Sequence, residues 1–115
     1  MEFSVGFYVS TSGNCPVRDF LEGLKARDPE DFAAVLAGLD KLRNRVNHRP
    51  PLSKPLGDGL FELRHVGKLN TRVIYFFTKG RRIVVVHGIR NKRQEIAMRD
   101  RAVAFARMRD WLSRQ

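Results

Sequence analysis

The sequence predicts an α+β domain: a small antiparallel sheet packed against an N-terminal helix pair and a C-terminal helix, in the order β-α-α-β-β-β-α. Three observations predict it. Between Leu60 and Ile89 three short runs rich in β-branched and aromatic residues follow one another with little chain to spare. Ahead of them lie two helical stripes, each with a proline suited to a first helical turn. Behind them the apolar residues return to a helical period.

In chain order, Glu2 to Val9 opens as a strand, with Phe3, Val5, Phe7 and Val9 on one face. Ser10 to Asn14 is a polar turn. Pro16 starts a helix with Asn14 or Cys15 near its cap, and Val17, Phe20, Leu21 and Leu24 form its stripe. Asp28-Pro29-Glu30-Asp31 starts the second helix: Asp28 caps, Pro29 takes the first helical position, and the acids meet the positive end of the helix dipole. Its core face reads Phe32, Val35, Leu36, Leu39, Leu42 and Val46. Pro50-Pro51 ends it, and Leu52 to Asp58 reads as a loop containing Lys54. Leu60–Val66 is a strand, with Phe61, Leu63 and His65 on one side and Glu62, Arg64 and Val66 on the other. Residues 67–70 form a tight connection to the strand Thr71–Thr78, and Lys79-Gly80 turns the chain into Arg82–Ile89. A helix from Glu95 to Ser113 presents Met98, Ala102, Phe105, Met108 and Leu112 on one face, and Trp111 anchors it.

A chain of 115 residues bounds one domain, 1–115. The net charge is +10, and it is lopsided. Residues 1–57 carry eight Lys/Arg against seven Asp/Glu; residues 58–115 carry fourteen against five. The positive field belongs to the strand cluster and the last helix. It suits nucleic acid, an acidic protein or an anionic membrane face. A lone Cys15 allows no intrachain disulfide and fits a reducing cytoplasm. His48, His65 and His87 are scattered singly, so no metal-ligand spacing exists, and no cofactor is expected. The first residues have no signal-peptide pattern, and apolar runs of about five residues fall far short of a membrane span.

Arg64, Arg72, Arg82 and Arg90 occupy defined points on the strands. A sheet that carries arginines there offers fixed positive charge, and a phosphate backbone is its natural ligand. The residues leave open whether the sheet cuts that backbone, holds it or does neither.

Three motifs add a resemblance. Gly59-Leu60-Phe61-Glu62-Leu63-Arg64, then Arg72-Val73-Ile74-Tyr75, then His87-Gly88-Ile89 with Lys92 and Gln94 behind it are similar to the "G-L-aromatic-E-L-R", "R-hydrophobic-hydrophobic-Y/F" and "H-G-F-x-K-K" runs of the RelE/ParE toxin superfamily. Within it the chain resembles the HigB-like, phage-derived branch over nearly its whole length. The resemblance implies a RelE-like fold and the toxin of a type II toxin–antitoxin system. It implies a growth inhibitor that acts in the cytoplasm as a ribosome-dependent, metal-independent endoribonuclease on messenger RNA. Its partners would be the ribosome with its mRNA and a cognate antitoxin, usually carrying a helix-turn-helix and here expected to have an acidic surface, docking on helices 16–48. The chain departs from the pattern at Ile89, Asn91 and Glu95.

Without a metal, RNA is cut when the 2′-hydroxyl attacks the adjacent phosphorus, which needs a base, an acid and cations for the phosphorane. The family's key arginine falls on Arg64. Arg90 takes the part of a cation or proton donor, and Lys92 that of a base or phosphate contact. His65 is the preferred histidine. Lys54, Arg72 and Arg93 are the candidate substrate-binding residues. Each has a plainer reading: Arg64 or Arg72 paired with Glu62, Arg90 at a solvated strand end, the lysines on the surface. His87 alternates with Ile83, Val85 and Ile89, which reads as a core-edge position, and Tyr75 reads as core. Which group is base and which acid stays open. The competing functions are a ParE-like gyrase inhibitor and a non-catalytic, nucleic-acid-binding phage-derived protein.

Overall fold

The computed structural model describes residues 2–64, 71–90 and 95–115. The order is β1 (Ser4–Phe7), α1 (Pro16–Arg27), α2 (Pro29–Lys41), a 3-10 turn (Arg45–Asn47), β2 (Ser53–Gly57), β3 (Leu60–Arg64), β4 (Thr71–Thr78), β5 (Arg82–Arg90) and α3 (Met98–Ser113). The strands form one five-stranded sheet in the order β1-β5-β4-β3-β2. The α+β class and the helix arrangement are as expected. The expected strand continuation to Val66 and the connection 67–70 lie outside the described residues.

The sheet departs from expectation twice. First, the segment read as a loop contains β2, antiparallel to β3 with a register shift between Pro55 and Gly57. Ser-Lys-Pro-Leu-Gly has no apolar alternation, because an edge strand with one solvated face needs none, and Pro is tolerated there. The β2–β3 turn puts Gly57, Asp58 and Gly59 in succession at positive φ, which the two glycines make affordable. Second, β1 pairs with β5 in parallel, so the sheet is mixed. The helix pair carries the chain from β1 to β2 at the opposite edge of the sheet, and three antiparallel steps through β3 and β4 then bring β5 back beside β1.

The helix starts follow the sequence. Asp28 ends α1 and caps α2, accepting a hydrogen bond from the Asp31 N–H at 3.1 Å. The sheet separates two cores. On the helix-pair side Val17, Leu21, Leu24, Val35, Leu39 and Leu42 pack on Leu63, Val73, Tyr75, Ile83 and Val85. On the other side Ala104 and Met108 of α3, with Ile96, pack on Leu60, Ile74, Phe76, Val84, Val86 and Ile89. Leu36 and Val46, expected in the core, stay exposed.

Two further expectations are corrected. His87 does not share a face with Ile83 and Val85. Tyr75 lies opposite Val85 but Ile74 lies opposite His87, so Val86 is an extra residue, and this bulge reverses the alternation. His87 therefore faces α3. The helix meets its expectation in part, since Met108 is buried and Phe105 packs on the core of that side, but it is rolled so that Ala104 is buried as well. Ala104 and Met108 are buried, whereas Met98, Ala102 and Leu112 are exposed and Phe105 is half-buried. Trp111 does anchor it, packing edge-on against Phe76 at 5.7 Å beneath the Arg82 guanidinium.

Candidate functional site

Strand register brings several basic residues to one face at one end of the sheet. Lys54, Glu62, Ile74 and His87 stand opposite one another in a row across β2, β3, β4 and β5. Arg64, Arg72 and Ile89 form the next row. Directly opposed residues point to the same face with Cβ atoms about 5 Å apart. All of these look toward the α3 side.

Arg64 and Arg72 are like charges in directly opposed positions, which alone would push the strands apart. Glu62 resolves this. Its carboxylate lies between them, with Oε1 3.3 Å from Arg64 Nε and Oε2 3.6 Å from Arg72 Nη1. Glu62 is 2% exposed and Arg72 7%, whereas the Arg64 side chain is 47% exposed. The trio is one buried acid, one buried cation behind it, and one half-exposed cation held at its Nε. Both plainer readings, an ion pair with Glu62 for each arginine, describe real contacts. For Arg64 that contact orients the guanidinium without burying it. Lys54 is exposed beside the trio.

Arg90 lies elsewhere. On β5 it has the parity opposite to Ile89 and points to the helix-pair side. There Nη2 donates to Asp28 Oδ2 at 2.8 Å, and Nε lies 3.9 Å from Asp31 Oδ2. Asp31 also accepts a hydrogen bond from the Thr71 hydroxyl. Arg90 ties the α1–α2 junction to the end of β5, so the structure does not bring Arg64 and Arg90 to a common face. Because their sign and strand-end positions match, only the parity fixed by the bulge separates them. His65, Lys92 and Arg93 lie outside the described residues.

His87 is held from both ends. Arginine can only donate, so Arg107 Nη1, 3.1 Å away, donates to Nδ1. The ring proton then sits on Nε2 and donates to Asp100 Oδ1 at 2.9 Å. Arg107 also donates to the Val86 carbonyl, and burial lowers its pKa from the usual arginine value. Both ring nitrogens are thus engaged by α3. Sequence reasoning missed this Asp100–His87–Arg107 chain, since its signal, a bulge, has no residue signature here.

Tyr75 is core, with its hydroxyl donating to Ser53 Oγ at 2.6 Å, and burial raises its pKa. On the helix-pair side Ala34, Ala37, Gly38 and Lys41 of α2 face Leu52 and Leu63 across an open apolar cleft of about 210 Å³, and Arg64, at the end of β3, completes its lining. Among the described residues no group of three His, Cys, Asp or Glu side chains could hold a metal ion, and no helix is long and apolar enough to cross a membrane.

The arrangement can neutralise phosphate charge with a cation that does not have to be reorganised on binding. Among the described residues it places no unengaged imidazole beside that cation.

Comparison with curated proteins gives no match. The family model for the phage-derived protein Gp49-like (DUF891) matches residues 21–109, from within α1 through most of α3. That span includes both rows of residues across the sheet, with Glu62, Arg64 and Arg72 among them, and the chain therefore belongs to the Gp49-like phage-derived family, a member of the RelE/ParE-like toxin superfamily.

Proposed function

We propose that this protein is the toxin of a type II toxin–antitoxin pair, of the HigB-like branch, and cleaves messenger RNA on the ribosome without a metal. The observation that carries the proposal is the exposed Arg64 at the end of β3, held at Nε by the buried Glu62 with Arg72 behind it. In this reading the 2′-hydroxyl attacks the neighbouring phosphorus and the outer nitrogens of Arg64 meet the two negative oxygens of the phosphorane. Arg72 adds field from behind. Lys54, opposite Glu62 on the edge strand, takes an adjacent phosphate. His65 and Lys92, which follow Arg64 and precede Arg93 in the chain, supply proton transfer, and Arg93 a further phosphate contact. Arg90 supports the strand end from which residues 91–94 depart. The ribosome contributes in-line placement of the hydroxyl and sets the cytoplasm as the place of action. An antitoxin with an acidic surface would associate rapidly with the half of the chain that carries most of the positive charge.

The test is cleavage of a defined mRNA by the purified protein, with and without translating ribosomes. Arg64→Ala is expected to lower the cleavage rate about 10²–10³-fold while its melting temperature stays near that of the wild type. No cleavage in either condition, or an Arg64→Ala protein that cuts at the wild-type rate, overturns the proposal. Gyrase supercoiling and plain RNA binding are then the activities to measure.

A further inference from the structure

We infer, on the reading of Arg64 given above, that the cleft between α2 and the β2–β3 side of the sheet seats one unpaired base of the RNA, next to the phosphate that Arg64 meets. Side-chain size builds this cleft. α2 buries Val35 and Leu39 in the core, but the row beside them is small: Ala34, Ala37 and Gly38 share one helix face at steps of three and four. A Cβ on Gly38 would lie 3.2 Å from Leu63 Cδ2, so helix and strand meet there and floor the cleft. Ala37 is exposed and Ala34 half-buried, and opposite Leu52 and Leu63 they leave an open space of about 210 Å³.

Volume narrows the occupant. An apolar cavity of about 150 Å³ holds a benzene ring. Drug-sized ligands take pockets from about 300 Å³ upward. A space of about 210 Å³ lies between the two and suits a single fused double ring. Methyl groups and leucines offer such a ring face contacts and no hydrogen-bond pattern, so the base is read by its size and not by its edges.

Charge narrows it further. The charged residues lining the cleft are Lys41 and Arg64, and no carboxylate lines it. A neutral ring would leave both cations unused, whereas a ring carried on a phosphate engages them. Arg64 serves both places: its Nε is held by Glu62 on the α3 side, and the residue completes the lining of the cleft on the helix-pair side. An RNA whose phosphate lies at Arg64 therefore has the cleft beside it, and the bases of a single strand are free to turn out of their stack onto a protein surface. A second copy of this chain is disfavoured, since it would set cation against cation on a protein already at +10.

The test titrates the full chain with adenosine 5′-monophosphate, uridine 5′-monophosphate and ribose 5-phosphate, read by amide shifts. Nothing is cut and no ribosome is present, so a failure of base binding and a failure of cleavage are read separately. The adenosine nucleotide is expected to shift the amides of Ala34, Ala37, Gly38 and Leu52. It should bind about 5–150-fold more tightly than ribose 5-phosphate, the range that stacking of one base supplies. The uridine nucleotide, whose single ring underfills the space, should fall between them. Ala37→Phe, at an exposed helix position, fills the cleft; it is expected to keep the wild-type melting temperature and to lower the affinity for the adenosine nucleotide to that for ribose 5-phosphate. Ala33→Phe, exposed on the same helix but outside the cleft, is expected to change neither. Any one of five results overturns the inference: no shift in the cleft with the adenosine nucleotide; equal affinity for ribose 5-phosphate; shifts confined to the α3 face; unchanged affinity in Ala37→Phe; or a dimer in sedimentation that Ala37→Phe dissociates, which would assign the cleft to a second copy.

Discussion

Glu62 holds two arginines in place, and replacing it by glutamine tests that role most directly. The substitution keeps the shape and removes the charge. Arg72 is then left as a cation with a 7% exposed side chain, opposite a second arginine. Removing one partner of a buried pair costs about 3–5 kcal/mol. The Arg72 contact, at 3.6 Å, is longer than a good charged hydrogen bond, and Glu62 Oε2 makes no hydrogen bond among the described residues. The lower end, about 3 kcal/mol, is therefore the appropriate figure. The Glu62–Arg64 contact adds less than about 1 kcal/mol, because Arg64 is half exposed. For a domain of this size 1 kcal/mol moves the melting temperature by about 4 °C, so Glu62→Gln is expected to melt about 12 °C below the wild type. Calorimetry and urea unfolding both read this. The paired change Glu62→Leu with Arg72→Met removes both charges and is expected to regain most of the loss. A melting temperature for Glu62→Gln within about 4 °C of the wild type, or a double variant no more stable than the single one, would refute the argument.

Three further expectations follow from other contacts. A Cβ on Gly88 would lie 2.4 Å from Phe20 Cδ2, so Gly88→Ala must displace that ring; a loss of about 1–3 kcal/mol is expected in urea unfolding, partly relieved by adding Phe20→Leu, and an unchanged midpoint would show that the ring moves freely. Asp28→Ala removes both the α2 cap and the Arg90 ion pair, and is expected to cost about 2–3 kcal/mol; a loss below about 1 kcal/mol would mean that the junction is not held there. The Tyr75 hydroxyl is raised above its ordinary value of 10.0 by burial, and Tyr8 by its hydrogen bond to Asp110. The folded state therefore keeps protons that the unfolded chain releases, so this stability is complete below pH 10.0 and is lost as pH rises through and beyond it. Tyr75→Phe should flatten the decline between about pH 9 and about pH 11, and parallel declines in the two proteins would exclude Tyr75 as a contributor.

Much of this protein is local in origin. Pro16, the Asp28 cap with Pro29, and the turn at Lys79-Gly80 set helix starts and a hairpin by short-range sterics and hydrogen bonds, so they were legible residue by residue. The position of Arg64 on a strand beside Arg72, and its neighbourhood with Glu62, follow from period-two alternation and were legible too. The edge strand at Ser53–Gly57 was not, since a strand with one solvated side leaves no apolar pattern in SKPLG. Nor was the parallel pairing of β1, because alternation is the same whichever way a neighbour runs. The one extra residue at Val86 had the largest consequences. It turns His87 toward Asp100 and Arg107, and Arg90 away from Arg64 toward Asp28. The roll of α3 is fixed by Asp100 and Arg107 on β5 and Asp110 at Tyr8, which leaves Met98 and Leu112 of the expected face outside while Phe105 and Met108 stay on the core. The amino-acid sequence by itself determined the helices and every strand but the edge strand β2, and where the cations lie along them. Which cations share a face, and which apolar stripe stays in water, were decided only when the strands were paired, because side-chain direction in a sheet depends on register summed over the whole chain.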